Sequence, residues 1–314
     1  MSCVVCGEAE AAVRYAATDR LYRTTGREFR IVQCRRCGLL RLSPQPTSAE
    51  LAAYYPEDYW FTPDAGRVSR LEERYRRFVL QDHVRFARRA LAAAPAGGLV
   101  VDVGCGGGLF LRMLAERGHR VVGLDAGEGA ARAAWRVNGV PAVRARLSDA
   151  PFPPHSCSAV TMFHVLEHVG DPAAYLEQAR ALLGPGGRLI VQVPNVASWQ
   201  FALLGSRWSG LDVPRHLWDF RPSDLETLLG RAGLEIVRAK HFSLRDNPAG
   251  LATSVAPGLD PMARRIRRTV ETPAARLSKD LLYLALVAAS LPFALCEAAC
   301  RAGSTIMIEA RARR

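Results

Sequence analysis

Apolar residues recur along the chain with two different periods. Between about Val68 and Ala94, an arginine-rich stretch places Leu71, Tyr75, Phe78, Val79, Val84 and Phe86 at helical spacing, which predicts one or two amphipathic helices. Leu99-Val-Val-Asp102-Val is then a short apolar run that passes into Gly104, Gly106, Gly107 and Gly108, followed by the helical pattern Leu109 to Gly118. Arg120 to Asp125 is a second apolar run. A strand that enters glycines, a helix and another strand predict an α/β domain. Residues 42 to 70 are rich in Pro, Tyr and Asp and predict a connector, whose aromatic cluster includes Tyr54, Tyr55, Tyr59 and Trp60. Near the other end, Leu281 to Cys296 is a run of 16 uncharged residues preceded by Arg264, Arg265, Arg267 and Arg268. A spanning helix needs about 20, and Pro292 and Glu297 weaken that reading. A helical lid, a dimer face, or a peripheral membrane contact over residues 264–296 stay open for it.

Composition changes this picture little. The 314 residues, 49% hydrophobic, suffice for one large domain and a small accessory one. No basic, then apolar, then small-residue start announces a secretory signal, so a cytoplasmic location is expected. The formal charge of +12 invites a nucleic-acid partner, yet Lys240 and Lys279 are the only lysines among 42 basic residues in an alanine-rich chain. That pattern reads as codon bias, and the expected partner is a small molecule instead of nucleic acid.

The cysteines alter the picture more. Cys3-Val-Val-Cys6-Gly and Cys34-Arg-Arg-Cys37-Gly are matched pairs 27 residues apart. Two residues between thiolates let one tight turn present both to one ion, and two such turns complete a tetrahedron. Four thiolates leave no open position for water, so a zinc held there is structural. A redox dithiol would need only one such pair.

The glycine loop has its own chemistry. Glycines at the carboxyl edge of a strand let the backbone approach a ligand closely, and Asp125 stands where a ribose diol would be held. The same two features could hold a nicotinamide dinucleotide. The wording Asp102-Val-Gly-Cys-Gly-Gly-Gly instead resembles the first motif of class I S-adenosylmethionine-dependent methyltransferases. The resemblance extends over residues 97–240, with Pro141–Arg146 as third strand, Ser158–Phe163 as fourth, and Leu183-Gly-Pro-Gly-Gly to Asn195 as glycine turn and fifth. It departs at Arg146 and Leu147, where relatives carry an acid at the adenine edge, and at Cys157-Ser158, where they open the fourth strand with Phe-Asp.

The resemblance implies a Rossmann-like sheet of seven strands with a small N-terminal zinc ribbon, Leu234–Ala239 and Thr305–Ala310 forming the last antiparallel hairpin. It implies S-adenosylmethionine held by Asp102, Gly104, Cys105, Gly106, Gly108, Asp125, Ala126, Leu147 and His164. Expected domains are 1–45, the ribbon; 46–96, connector and capping helices; 97–240, the core; and 241–314, a helical extension with the last strand. The zinc module with this core is similar to sugar C-methyltransferases and related polysaccharide and antibiotic-pathway enzymes. In that family a Glu-His pair deprotonates the acceptor, and Glu167 and His168 match it. A second constellation, Asp212-Val-Pro214-Arg215-His216, offers His216 as another base and Arg215 as a substrate contact, together with Tyr59; bracing of the loop by Arg215 and His216 is the plainer alternative. Ribosomal RNA methylation and a non-catalytic binding module remain as rival functions.

Overall fold

The chain begins with strands β1 (Ala11–Thr18), β2 (Glu28–Cys34) and β3 (Leu40–Ser43) and helix α1 (Ser48–Ala53). The computed structural model describes residues 2–55 and 70–313, so Tyr59 and Trp60 lie outside the described residues. Helices α2 (Arg70–Val79) and α3 (Gln81–Ala92) follow, where the apolar spacing predicts them. Strand then alternates with helix through β4 (Leu99–Val103), α4 (Leu109–Ala115), β5 (Arg120–Asp125), α5 (Glu128–Asn138), β6 (Ala142–Arg144), β7 (Cys157–Phe163), α6 (Pro172–Leu182) and β8 (Leu183–Pro194). The remainder runs α7 (Trp199–Leu204), β9 (Trp218–Asp219), α8 (Pro222–Arg231), β10 (Leu234–Lys240), α9 (Asn247–Val255), α10 (Pro261–Ile266), α11 (Pro273–Ala299) and β11 (Thr305–Ala312).

Two compact units are built from these elements. One comprises Trp60–Val193, Glu226–Lys240 and Met307–Arg314. Its sheet has the seven strands expected, and their order is β10-β11-β8-β7-β4-β5-β6. β6, β5, β4, β7 and β8 run parallel, and β10 and β11 are antiparallel. Strands covered on both faces are buried at successive positions, which is why β4 and β7 read as mainly apolar runs instead of alternating ones, with Asp102, Ser158 and Thr161 as their polar exceptions. Val100, Leu111, Met113, Ala134 and Ile190 belong to the core, and α3 presses Val84, Phe86 and Ala90 into it. α6 starts sharply because Asp171 accepts from the Ala174 N–H at 3.0 Å and Pro172 occupies the first turn.

The other unit comprises Met1–Tyr59, Pro194–Leu225 and His241–Ile306. Its antiparallel sheet has the order β1-β2-β3-β9, with Arg41 opposite Trp218 and Leu40 opposite Asp219. Phe29, Ile31, Leu42, Trp218 and Phe220 are fully buried here. The apolar run near residue 290 is part of α11, which starts at a Thr272 cap with Pro273 in the first turn and continues through Pro292.

Candidate functional site

In the seven-stranded unit, β4 and β5 end side by side, and the glycine loop is folded across their ends. The Gly104 and Cys105 N–H groups both donate to the Leu124 carbonyl, at 2.7 and 3.2 Å. Gly104, Gly106 and Gly108 have φ of +69°, +50° and +76°, a region that favours glycine. A Cβ at Gly104 would stand 2.5 Å from Val165 Cγ2, whereas at Gly106 it would enter open space. The loop therefore packs at its first glycine and presents bare backbone at its second.

Asp125 ties the loop down. Its carboxylate accepts from the Gly106 N–H at 3.0 Å and the Gly127 N–H at 2.8 Å. Burial pushes its carboxyl above the usual carboxylate range, an effect those two N–H groups only partly offset. Asp102 is buried and accepts from the Thr161 hydroxyl on the neighbouring strand β7. Cys105 is also buried, and burial together with Asp102 and Asp125 pushes its thiol up, so it packs as a neutral group. Ala126 is exposed beside Asp125, and Leu147 is buried in the turn Leu147–Asp149, its N–H directed at the Tyr175 hydroxyl 3.4 Å away.

The segment after β7 turns at once. His164 has φ +57°, and its N–H donates to the Gln192 carbonyl on β8 at 2.8 Å. Its ring lies between two side chains, Nδ1 3.2 Å from Glu167 Oε1 and Nε2 2.8 Å from Gln192 Nε2. The pairing fits a neutral imidazole that donates through Nδ1 and accepts through Nε2. Both nitrogens of His164 are thus engaged by the protein. Glu167 is buried, and His168 is half-buried in the same short turn, Leu166–His168. Neither Gln192 nor Thr161 was foreseen from the sequence. A polar residue inside the wholly buried run Leu189–Pro194 is the signal that could have found Gln192.

In the other unit, the four cysteines converge. Cys3 Sγ lies 3.5 Å from Cys37 Sγ, Cys6 Sγ lies 3.5 Å from Cys34 Sγ, and all four sulfurs fall within 4.8 Å of one another. The two knuckles repeat one turn, with the Gly7 N–H on the Cys3 carbonyl at 2.8 Å and the Gly38 N–H on the Cys34 carbonyl at 2.9 Å. Gly7 and Gly38 have φ of +76° and +79°, a conformation that favours glycine and explains why one follows each cysteine pair. Burial pushes the Cys34 thiol up, but the N–H groups of Cys37 and Arg36 outweigh it and bring it down to about 6.

Arg215 and His216 sit in this second unit. Arg215 is 0% exposed, with Nη2 2.9 Å from Asp19 and 2.7 Å from Asp212 and its guanidinium 4.5 Å from the centre of the Tyr22 ring. A side chain so enclosed has no surface for a substrate anion, so the substrate contact read at Arg215 gives way to the bracing alternative. His216 is buried, with Nδ1 2.8 Å from the Gly210 carbonyl.

Residues 71–239 match the family described as Methyltransferase domain. Among curated proteins, a ubiquinone biosynthesis O-methyltransferase of Pseudomonas aeruginosa strain UCBPP-PA14 is 34% identical over 156 residues, covering 46% of this chain and 67% of that protein. One of the same name from Xanthomonas axonopodis pv. citri is 32% identical over 160 residues, covering 45% and 64%. The chain thus spans about two thirds of the length of these relatives. Among solved structures, the cyclase SpnF superposes with a TM-score of 0.52 at 19% identity, over 85% of this chain and 97% of that one. A putative sarcosine dimethylglycine methyltransferase from Galdieria sulphuraria gives 0.51 at 12% identity, over 74% and 85%. At such identity the likeness speaks to the fold alone.

Proposed function

The chain belongs to the methyltransferase-domain family and is a class I S-adenosylmethionine-dependent methyltransferase, and on that premise we propose that it methylates a small-molecule acceptor, a sugar or natural-product intermediate, with His168 as general base. The relatives are O-methyltransferases, which supports a hydroxyl as the accepting group.

The residues present fit the cofactor. Bare backbone at Gly106 with open space beyond it leaves room for close approach, and Asp125 offers a carboxylate at the end of β5 suited to a ribose diol. Bound there, the cofactor supplies an electrophilic sulfonium methyl. The protein has to hold the acceptor in line with it and take the acceptor's proton. Engaged through both nitrogens, His164 is a strut that holds Glu167 and the turn in place. His168, half-buried in that turn, is the proton acceptor of this reading, and the strutted turn is the observation that supports it. The four thiols fit structural zinc, because a tetrahedral ion about 2.3 Å from each sulfur places the sulfurs about 3.8 Å apart.

The test is calorimetry with S-adenosylmethionine beside a turnover assay on hydroxylated sugars and phenols. Wild-type protein should bind the cofactor saturably. His168→Ala should keep that affinity within about twofold while turnover falls roughly 10²- to 10⁴-fold. Undiminished turnover would remove His168 as the base, and no cofactor binding by wild type would count against the site itself.

A further inference from the structure

Helix α11 is inside out for a helix facing water. From Leu277 to Ala299 it extends about 33 Å at 1.5 Å per residue. Leu277, Leu281, Leu282, Leu284 and Leu295 are each about half exposed or more, and Pro292 is exposed among them. At 100° per residue these positions cover roughly 160° of the circumference. The charged residues of this stretch are each tied to a partner within the protein, Lys279 and Asp280 while partly exposed and Glu297 while buried. Lys279 reaches Glu271 at 2.6 Å, Asp280 pairs with Arg264, and Glu297 is buried and accepts from Gln200 at 2.7 Å. A solvent-facing helix shows the opposite arrangement, with its apolar stripe toward the protein.

We propose that the outer face of α11 seats the protein on an anionic lipid bilayer, lying in the plane of the interface. Charge flanking the helix at both ends supports lipid as the occupant. Arg276 is exposed in its first turn and Arg301 just past its last residue, where long side chains can reach anionic headgroups while the leucines enter the acyl boundary. The ring centre of Trp199, on α7, lies 6.2 Å from that of Phe293, and Leu203 one turn further along α7 is 72% exposed. An indole beside such a face suits the headgroup level. A second copy of the chain would ask for a narrower seam than 160° and for aromatic or arginine anchors at its centre, where α11 has leucine, alanine and proline. Although length and hydropathy would let α11 span, Glu297 is held within its unit by Gln200 and the Ser304 N–H, so the inner half of the helix is already engaged.

The experiment is flotation of the full zinc-loaded chain with vesicles of phosphatidylcholine alone and with added phosphatidylglycerol. Binding is expected to the anionic vesicles, weakened by salt and reduced roughly tenfold or more by Leu281→Glu with Leu284→Glu. Cys296, exposed on the same face, supplies a second readout when its peptide is resolved from that of the exposed Cys300, since anionic vesicles should slow its labelling by maleimide about tenfold. Failure of the wild-type chain to float, or flotation that the double substitution leaves intact, would overturn the proposal. So would a dimer in solution that Leu281→Glu splits while Cys296 labels equally fast with and without vesicles.

Discussion

Asp125 keeps a carboxylate in a place that disfavours its charge. Its folded pKa is raised above the ordinary value, so the folded protein holds that proton more tightly than the unfolded chain. The fold therefore carries a penalty at neutral pH that is relieved as pH falls toward the raised pKa. Binding has the opposite preference, because a ribose diol donates to the ionised form. Affinity for S-adenosylmethionine should fall as pH drops through the raised value, sooner than an ordinary aspartate would cause. Asp125→Asn should flatten that dependence and weaken binding roughly 10- to 100-fold at pH 7.5. Calorimetry across pH checks both, and an unchanged affinity would sink the ribose assignment. The place of this residue, at the end of β5 beside the glycine loop, was legible because strand, glycine loop and acid are local in sequence. Arg215 was legible only in part: Asp212, three residues away, allowed the bracing alternative, but its second partner Asp19 lies 196 residues away, so the closure of the pair had no local signal. Gln192 was missed for a similar reason, since its partner His164 lies on a different strand's end.

Among the elements, those with a clear period were readable and those defined by a distant partner were not. The strands and helices from β4 to β8 follow their apolar runs, and β10 with β11 forms the antiparallel hairpin expected of them. β9, two residues long, exists by pairing with β3, its residues 177 and 179 positions from their partners, and carries no pattern of its own. The knuckles at Cys3 and Cys34 are a different case, because their spacing specifies a metal and the metal specifies the turns. Elemental analysis should find about one zinc per chain. A strong chelator, or Cys34→Ser, should release it and lower the melting temperature, with the largest loss of amide protection in β1 and β2 by hydrogen exchange. A metal-free protein with unchanged stability would show that the four thiols pack without an ion.

At the scale of the whole molecule, the arginines are dispersed along the chain, and several are tied up locally. Arg77, Arg112, Arg132, Arg188, Arg221, Arg238 and Arg264 all pair with carboxylates, spread over both compact units. Generic single-stranded RNA should accordingly bind no more tightly than roughly 10⁻⁶ M at physiological salt, by fluorescence anisotropy. Saturable binding far below that would restore the nucleic-acid reading. The topology carries one more consequence. β11 lies between β10 and β8, yet it follows both in the chain, and residues 241–304 intervene between the two arms of its hairpin. During synthesis the slot for β11 must wait, with two strand edges open, until every residue of the intervening helices has left the ribosome. The sheet is therefore sealed late, by its most distant segment, and that interval is when an otherwise covered pair of edges can be captured by another nascent chain.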